Sequence, residues 1–181
     1  MLSQINWIDI VVLILLIRTS YVGLSRGLTK DFFSFLAIII TTCFSIHYYE
    51  LLAGFLTSHM DFLNNKTAIL LSFMLLVIGS LLIFKIFVYL ISQLIKIEFA
   101  SFLEKIGGLI IGIVYGFLLS SLLIIILSFS ETDYIQGSLR RSWSAPFIIE
   151  IAPRTYDTVL KILPIQPSAG RLNIKTGFIS K

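Results

Sequence analysis

The 181-residue chain is 57% hydrophobic and only 13% charged, with a mean hydropathy of +0.96. Charged residues make up about 25% of an ordinary soluble domain, and a water-soluble fold of this length could not hide so much apolar surface, so the solvent for most of the chain is lipid. Fourteen Lys and Arg face ten Asp and Glu, a net charge of +4, which suits an anionic bilayer surface. No basic stretch is interleaved with aromatics, which argues against nucleic acid as a partner, and the single cysteine, Cys43, excludes an internal disulfide.

A membrane-spanning helix needs about 20 mostly apolar residues, and four segments qualify: residues 5–24, 32–55, 68–94 and 106–129. The opening "MLSQINWID" has no positive n-region, and no small-x-small cleavage site follows the first apolar run, so the first helix is expected to stay attached. Trp7, Tyr21, Tyr48, Tyr49 and Tyr89 lie at segment ends, where aromatic rings prefer the membrane interface. The third segment is longer than a bilayer requires and is expected to tilt or project. Short connectors make sequence neighbours antiparallel and adjacent. Residues 131–181 hold all four prolines and seven of the fourteen basic residues. Within them "SAPFIIEIAPRTYDTVLKILP" reads as an amphipathic helix on the membrane surface. Pro146 would sit in a first turn and Pro153 at a kink. Phe147, Ile148, Ile151, Val159, Leu160 and Leu163 would face lipid and Arg154, Asp157 and Lys161 water. From Gln166 onward the chain reads as a flexible tail. The expected fold is an all-α integral membrane protein: a compact bundle of four transmembrane helices over residues 1–130, then an amphipathic helix and basic tail over 131–181.

The basic residues give a weak orientation signal. Arg26, Lys30, Lys96 and Lys105 lie on one side, and Lys66, Arg140 and Arg141 on the other. The first helix usually dominates, which places Arg26 and Lys30 in the cytoplasm; the basic tail argues the opposite way.

Gly108, Gly112, Gly116 and Ser120 recur every fourth residue and share one helical stripe. Small residues there let a second backbone approach closely. Packing inside the bundle is the first reading and a homodimer seam the alternative. Asp9 lies about 6 Å into the first helix by the 1.5 Å rise. There it either complements the helix dipole or serves as an inward partner or proton site. Arg18 lies roughly half a turn away from it. Lys85 is deeper in an apolar run, where a lysine costs about 2.5–3.5 kcal/mol on insertion scales. It is a candidate for an ion pathway, or a partly snorkelled side chain on a tilted helix. His47 and Glu50 have the spacing of a metal-ligand pair, but no second pair accompanies them. No nucleophile–base pair, phosphate loop or paired catalytic carboxylates can be assembled. Neither enzyme activity nor a cofactor is expected.

"INWIDIVVLILL", "GLSRGLTKDFFSFLAIII" and "FLEKIGGLIIGIVYGFLLSSLL" together resemble the colicin V production protein (CvpA) family of bacterial membrane proteins, and the resemblance extends to "SWSAPFIIEI". Asp9 follows Trp7 as an Asp follows an aromatic in that family. Arg26, Gly27, Lys30 and Asp31 match its basic-Gly and basic-acidic pairs. Glu104, Lys105, Gly108, Gly112 and Gly116 match an acidic-basic pair before glycines spaced by four. Glu104 and Lys105 stand where Asp and Arg are more usual, and Tyr115 where some relatives carry a basic residue. The resemblance implies a multi-pass protein of the bacterial inner membrane with a role in colicin V production or export and envelope homeostasis. It would act as an accessory or scaffold that meets other membrane proteins through its polar turns and tail. The alternative is a small channel or transporter subunit using Asp9 and Lys85. In the first turn, Gly23 is expected to end helix one and Gly27 to allow a tight reversal. Asp31 would complement the start of helix two. Arg26 or Lys30 would pair with Glu104 across two turns on the same face.

Overall fold

The computed structural model describes residues 6–59, 64–94, 101–130 and 132–162. Lys96, Leu163 and the tail beyond it therefore lie outside the described residues. Among the described residues seven helices follow in order: α1 (Trp7–Arg26), α2 (Leu28–His59), α3 (Asn65–Leu94), α4 (Ser101–Ser128), α5 (Asp133–Arg141), α6 (Ala145–Ile148) and α7 (Ile151–Ile162). The first four are each long and apolar enough to cross a membrane. In hydrocarbon no water is present to satisfy backbone groups, so these apolar runs must close their hydrogen bonds internally, and helix is the outcome. The protein is an all-α, multi-pass membrane protein.

The spans form a row rather than a square. α4 lies between α1 and α2, α3 packs on the far side of α2, and α3 hardly meets α4. Sequence neighbours pack together for α2 and α3, as the short connector implies. For α1 and α2 they do not, although a single residue, Gly27, separates them. Gly27 has φ +81, a conformation open to glycine and strained for other residues. Its N–H donates to the Gly23 carbonyl at 3.1 Å, and its own carbonyl accepts from the Asp31 amide at 3.2 Å. Gly23 thus lies within α1 and does not end it; the stop comes one turn later, at Gly27.

The reason α1 turns to α4 is the glycine stripe. Gly108 rests on the backbone of Gly23 and Gly27, Gly112 on Thr19 and Gly23, and Gly116 on Thr19 and Leu16. As the α4 number rises the α1 number falls, so the two helices are antiparallel. The stripe is an intramolecular seam and meets a matching stripe, Thr19, Gly23 and Gly27, also spaced by four. Thr19 donates its hydroxyl to the carbonyls of Leu15 and Leu16, at 2.9 and 3.1 Å, so the oxygen it presents to Gly116 is already satisfied within α1.

The other seams are filled by ordinary side chains. Ile38, Ile46 and Ala53 of α2, Phe73 and Val77 of α3, and Leu118, Leu122 and Ile125 of α4 are buried. Tyr49, Phe73 and Phe129 close the end of the core, with ring centroids 5.6 to 6.1 Å apart. The outward faces of α1 and α3 carry exposed Leu13, Ile14, Ile17, Leu82, Ile83, Ile86 and Phe87, as lipid-facing surface should.

Residues 132–162 fold back onto the bundle. α5 packs on α1 and α4, α6 on α4, and α7 on α2 and α4. Pro146 falls in the first turn of α6 and Pro153 in the first turn of α7, and the stretch is interrupted between the two helices, just before Pro153. Phe147 is exposed, but Ile148 is buried, and Ile151, Val159 and Leu160 are half-buried; Arg154, Asp157 and Lys161 are exposed. The expected lipid-facing stripe is therefore corrected. Its apolar side belongs mainly to the protein core, through Leu139, Ala145, Ile148, Ile149, Ala152 and Tyr156.

An alanine at Gly112 would place its methyl 2.6 Å from the Thr19 carbonyl oxygen, a backbone atom that cannot rotate away. Gly112→Ala should therefore lower the melting temperature in detergent, at an overpacking cost of about 1–3 kcal/mol, and Gly112→Leu should do so further. Gly54 and Gly79 have open space at the same point. Gly54→Ala and Gly79→Ala should be neutral or mildly stabilising, because alanine is the better helix former by up to about 1 kcal/mol.

Candidate functional site

Two polar sites occupy opposite ends of the bundle. The first is built on Asp9, the third residue of α1. Asn6 just before the helix donates its backbone N–H to Asp9 Oδ2 at 3.1 Å. The other oxygen, Oδ1, accepts three bonds from the segment after α5: Ser142 Oγ at 2.7 Å, Ser144 Oγ at 2.5 Å and the Ser144 amide at 3.0 Å. Ser142 Oγ also accepts the Ala145 amide at 3.2 Å. The Asn6 side chain donates to the Ser138 carbonyl at the end of α5, and Trp7 stacks on Tyr134 with centroids 6.5 Å apart. An ionised carboxylate one turn into a membrane helix needs donors, and bonds to a charged acceptor are roughly twice as strong as neutral ones. Asp9 therefore acts as a clamp that ties the C-terminal segment to the start of α1.

Two further contacts complete the docking. Ser121, fully buried in α4, donates to the Ile149 carbonyl at 3.3 Å and accepts the Ala152 amide at 3.0 Å. One hydroxyl thereby satisfies both sides of the break between α6 and α7, where helical bonding is interrupted. His47 Nδ1 and the Tyr156 hydroxyl lie 3.0 Å apart. His47 is thus committed to α7, and Glu50 accepts the Tyr49 hydroxyl at 3.0 Å. Among the described residues no group of three or more metal-ligating side chains comes together.

The second site is the turn around Gly27. The Glu104 side chain lies over Gly27, close enough that a β-carbon there would be 2.9 Å from its Cδ. The α1–α2 turn and the start of α4 therefore share one face of the bundle. Their charges do not close into ion pairs: among the described residues no contact within 4.0 Å joins Arg26 or Lys30 to Glu104. Arg26, Lys30 and Lys105 are exposed and Glu104 is half-buried. Asp31 is turned inward, 6% exposed, with Oδ2 so close to Gly23 that a β-carbon there would be 2.6 Å away. The expected pairing with Glu104 is corrected: Arg26, Lys30 and Lys105 stand exposed around the buried Asp31 carboxylate, on which Arg26 acts electrostatically.

Lys85 joins neither site. It is exposed on the outer surface of α3, beside exposed Leu82, Ile83, Ile86 and Tyr89. Asp9 and Lys85, the pair needed for a pathway, share no interior space.

The sequence matches the colicin V production protein family over residues 8–153. The chain belongs to that family. No curated protein and no solved structure is detectably similar. The matched region covers the four spans from Ile8 onward, Asp9, the Gly27 turn and the serines that bond Asp9, and leaves out Asn6. Asn6, Thr19, Ser121, Ser142 and Ser144 are the site residues that sequence reasoning passed over. Thr19 was readable as the first member of a small-residue stripe on α1. The two serines lay in "SWSAP", a stretch already part of the family resemblance.

Replacing Asp9 with Ala leaves several donors at a protein-enclosed site without an acceptor, at about 1–3 kcal/mol per unsatisfied group. Asp9→Ala should make the segment between α5 and α7 much more sensitive to limited proteolysis in detergent while the spans stay resistant. Asp9→Asn keeps an oxygen for Ser142 and Ser144 but loses the acceptor for the Asn6 amide, and should fall between.

Proposed function

We propose that this protein is an accessory or scaffold factor of the bacterial inner membrane. In this reading it serves colicin V production or export and envelope homeostasis, and is neither an enzyme nor a conduit. The observation that carries the reading is the placement of charge. Arg26, Lys30 and Lys105 stand exposed at one end of the bundle, where Asp31 is also buried beside Gly23, while the seams between the spans otherwise hold apolar side chains, glycines and small hydroxyls among the described residues. Open cations on a rigid turn are the equipment of a docking face, and charges at such a rim set partner choice and encounter more than raw affinity. The partners implied are other membrane proteins, a second copy of the chain among them. Family membership supports the link to colicin V production.

The test is colicin V export and envelope-stress resistance in a strain lacking the native protein, at matched membrane levels of each variant. Arg26→Glu combined with Lys30→Glu should abolish rescue, and Lys85→Leu should rescue fully. Purified protein in liposomes should conduct no ions. Conductance that disappears with Lys85→Leu would establish the channel reading instead.

A further inference from the structure

The Asp9 clamp holds a residue it does not bury. Ser142 and Ser144 both bond Asp9 Oδ1, and the Ser144 amide and the Ala145 amide are tied into the same knot. The backbone on both sides of Trp143 is therefore fixed, yet Trp143 is 79% exposed. Among the described residues its ring neighbour is Phe147, centroid to centroid 6.1 Å, which is itself 69% exposed. A large apolar side chain held outward at the cost of ordering the loop around it is built to meet something.

Position and charge say what. The clamp places Trp143 level with the first turn of α1, a spanning helix, and so at a membrane boundary. That is where an indole ring, apolar in body and with one N–H donor, is preferred. Arg140 and Arg141 lie on the last turn of α5, separated from Trp143 by Ser142 alone; both are exposed, and among the described residues no carboxylate lies within ion-pair distance of either. Residues 131–181 hold seven Lys and Arg against four Asp and Glu, so this segment accounts for +3 of the net +4. A guanidinium binds phosphate through two parallel N–H donors, and basic groups beside a span are drawn to anionic headgroups.

We propose that Trp143 and Phe147 form a membrane anchor, that Arg140 and Arg141 bind the headgroups of anionic phospholipids beside it, and that Asp9 is the positioning residue for both. Asp9 then serves the family fold as more than a packing contact. It aims the C-terminal segment so that two rings enter the lipid boundary and two cations face the phosphates. The proposal is independent of the docking role given to Arg26 and Lys30, which lie at the opposite end of the bundle.

The chain has two tryptophans, so Trp7→Phe leaves Trp143 as the sole indole fluorophore. The full-length protein is reconstituted into phosphatidylcholine vesicles, with and without phosphatidylglycerol, whose acyl chains are brominated near the headgroup. Trp143 fluorescence should be blue-shifted and strongly quenched by the bromines. Phosphatidylglycerol should be retained over phosphatidylcholine on the detergent-purified protein by native mass spectrometry. Arg140→Gln with Arg141→Gln should reduce that preference several-fold. Asp9→Ala should weaken the quenching, and if that variant does not accumulate, the tryptophan and arginine measurements decide alone. A red-shifted, unquenched Trp143 would place the ring in water, available to a protein partner, and would overturn the anchor. An unchanged lipid preference in the double arginine variant would overturn the headgroup site.

Discussion

Two backbones meet in this protein with no side chain between them. Gly23 and Gly27 of α1 lie against Gly108, and Gly23 with Thr19 against Gly112. In lipid, apolar side chains gain little by leaving solvent for a protein interior, so helix association depends on how many close contacts the surfaces can make. A pair of glycine stripes maximises those contacts and leaves little tolerance for substitution. The rest of the arrangement follows. Once α4 has taken the face of α1, α2 is displaced to the far side of α4, and the joint at Gly27 must open where a closed hairpin would otherwise form. That opening leaves Arg26 and Lys30 outside while Asp31 fills the hollow beside Gly23.

The clamp at the other end obeys a different rule. A carboxylate near lipid is costly unless donors surround it, and Asp9 meets that requirement with groups from both sides of a long sequence gap, Asn6 and Ser142–Ser144. Ser121 applies the same principle to backbone groups where α6 gives way to α7. These bonds turn a short, polar, proline-containing segment into a fixed part of the bundle, although α6 is only one turn long.

The sequence made the four spans legible because each is a long apolar run, and lipid selects such runs regardless of what they touch. The α4 stripe was legible for a similar reason: a period of four survives in any environment. Its partner was less so, since Thr19, Gly23 and Gly27 are scattered among Tyr21, Leu24 and Arg26 and look like a helix end followed by a turn. Charge pairing between the turns was the natural expectation from proximity. It fails because Glu104 lies over Gly27 while Arg26 and Lys30 remain in solvent. The C-terminal segment was hardest to place. Hydropathy counts Ser142, Ser144 and Ser121 as polar, and nothing local reveals that all three are satisfied by groups more than 25 residues away.

The row of spans also explains the position of Lys85. α1 has 20 residues, about 30 Å by the helical rise, the thickness of a typical hydrocarbon core. α2 begins one residue after α1 ends, and Tyr49 of α2 stacks edge-on against Phe73 of antiparallel α3. Counting outward from that contact brings Leu94 level with Leu28, so Lys85 lies nine residues, about 13 Å, inside the boundary. The excess length of α2 and α3 then projects on the opposite side and cannot carry Lys85 toward water. Because α3 is an edge of the row, touching α2 and hardly α4, no polar group among the described residues of the bundle reaches this lysine either. A lysine at this depth is accommodated by snorkelling toward the near headgroups, with local thinning of the bilayer. Both adjustments leave the four-span core intact. They follow from the order of the row, which leaves α1 and α3 as its two outer helices.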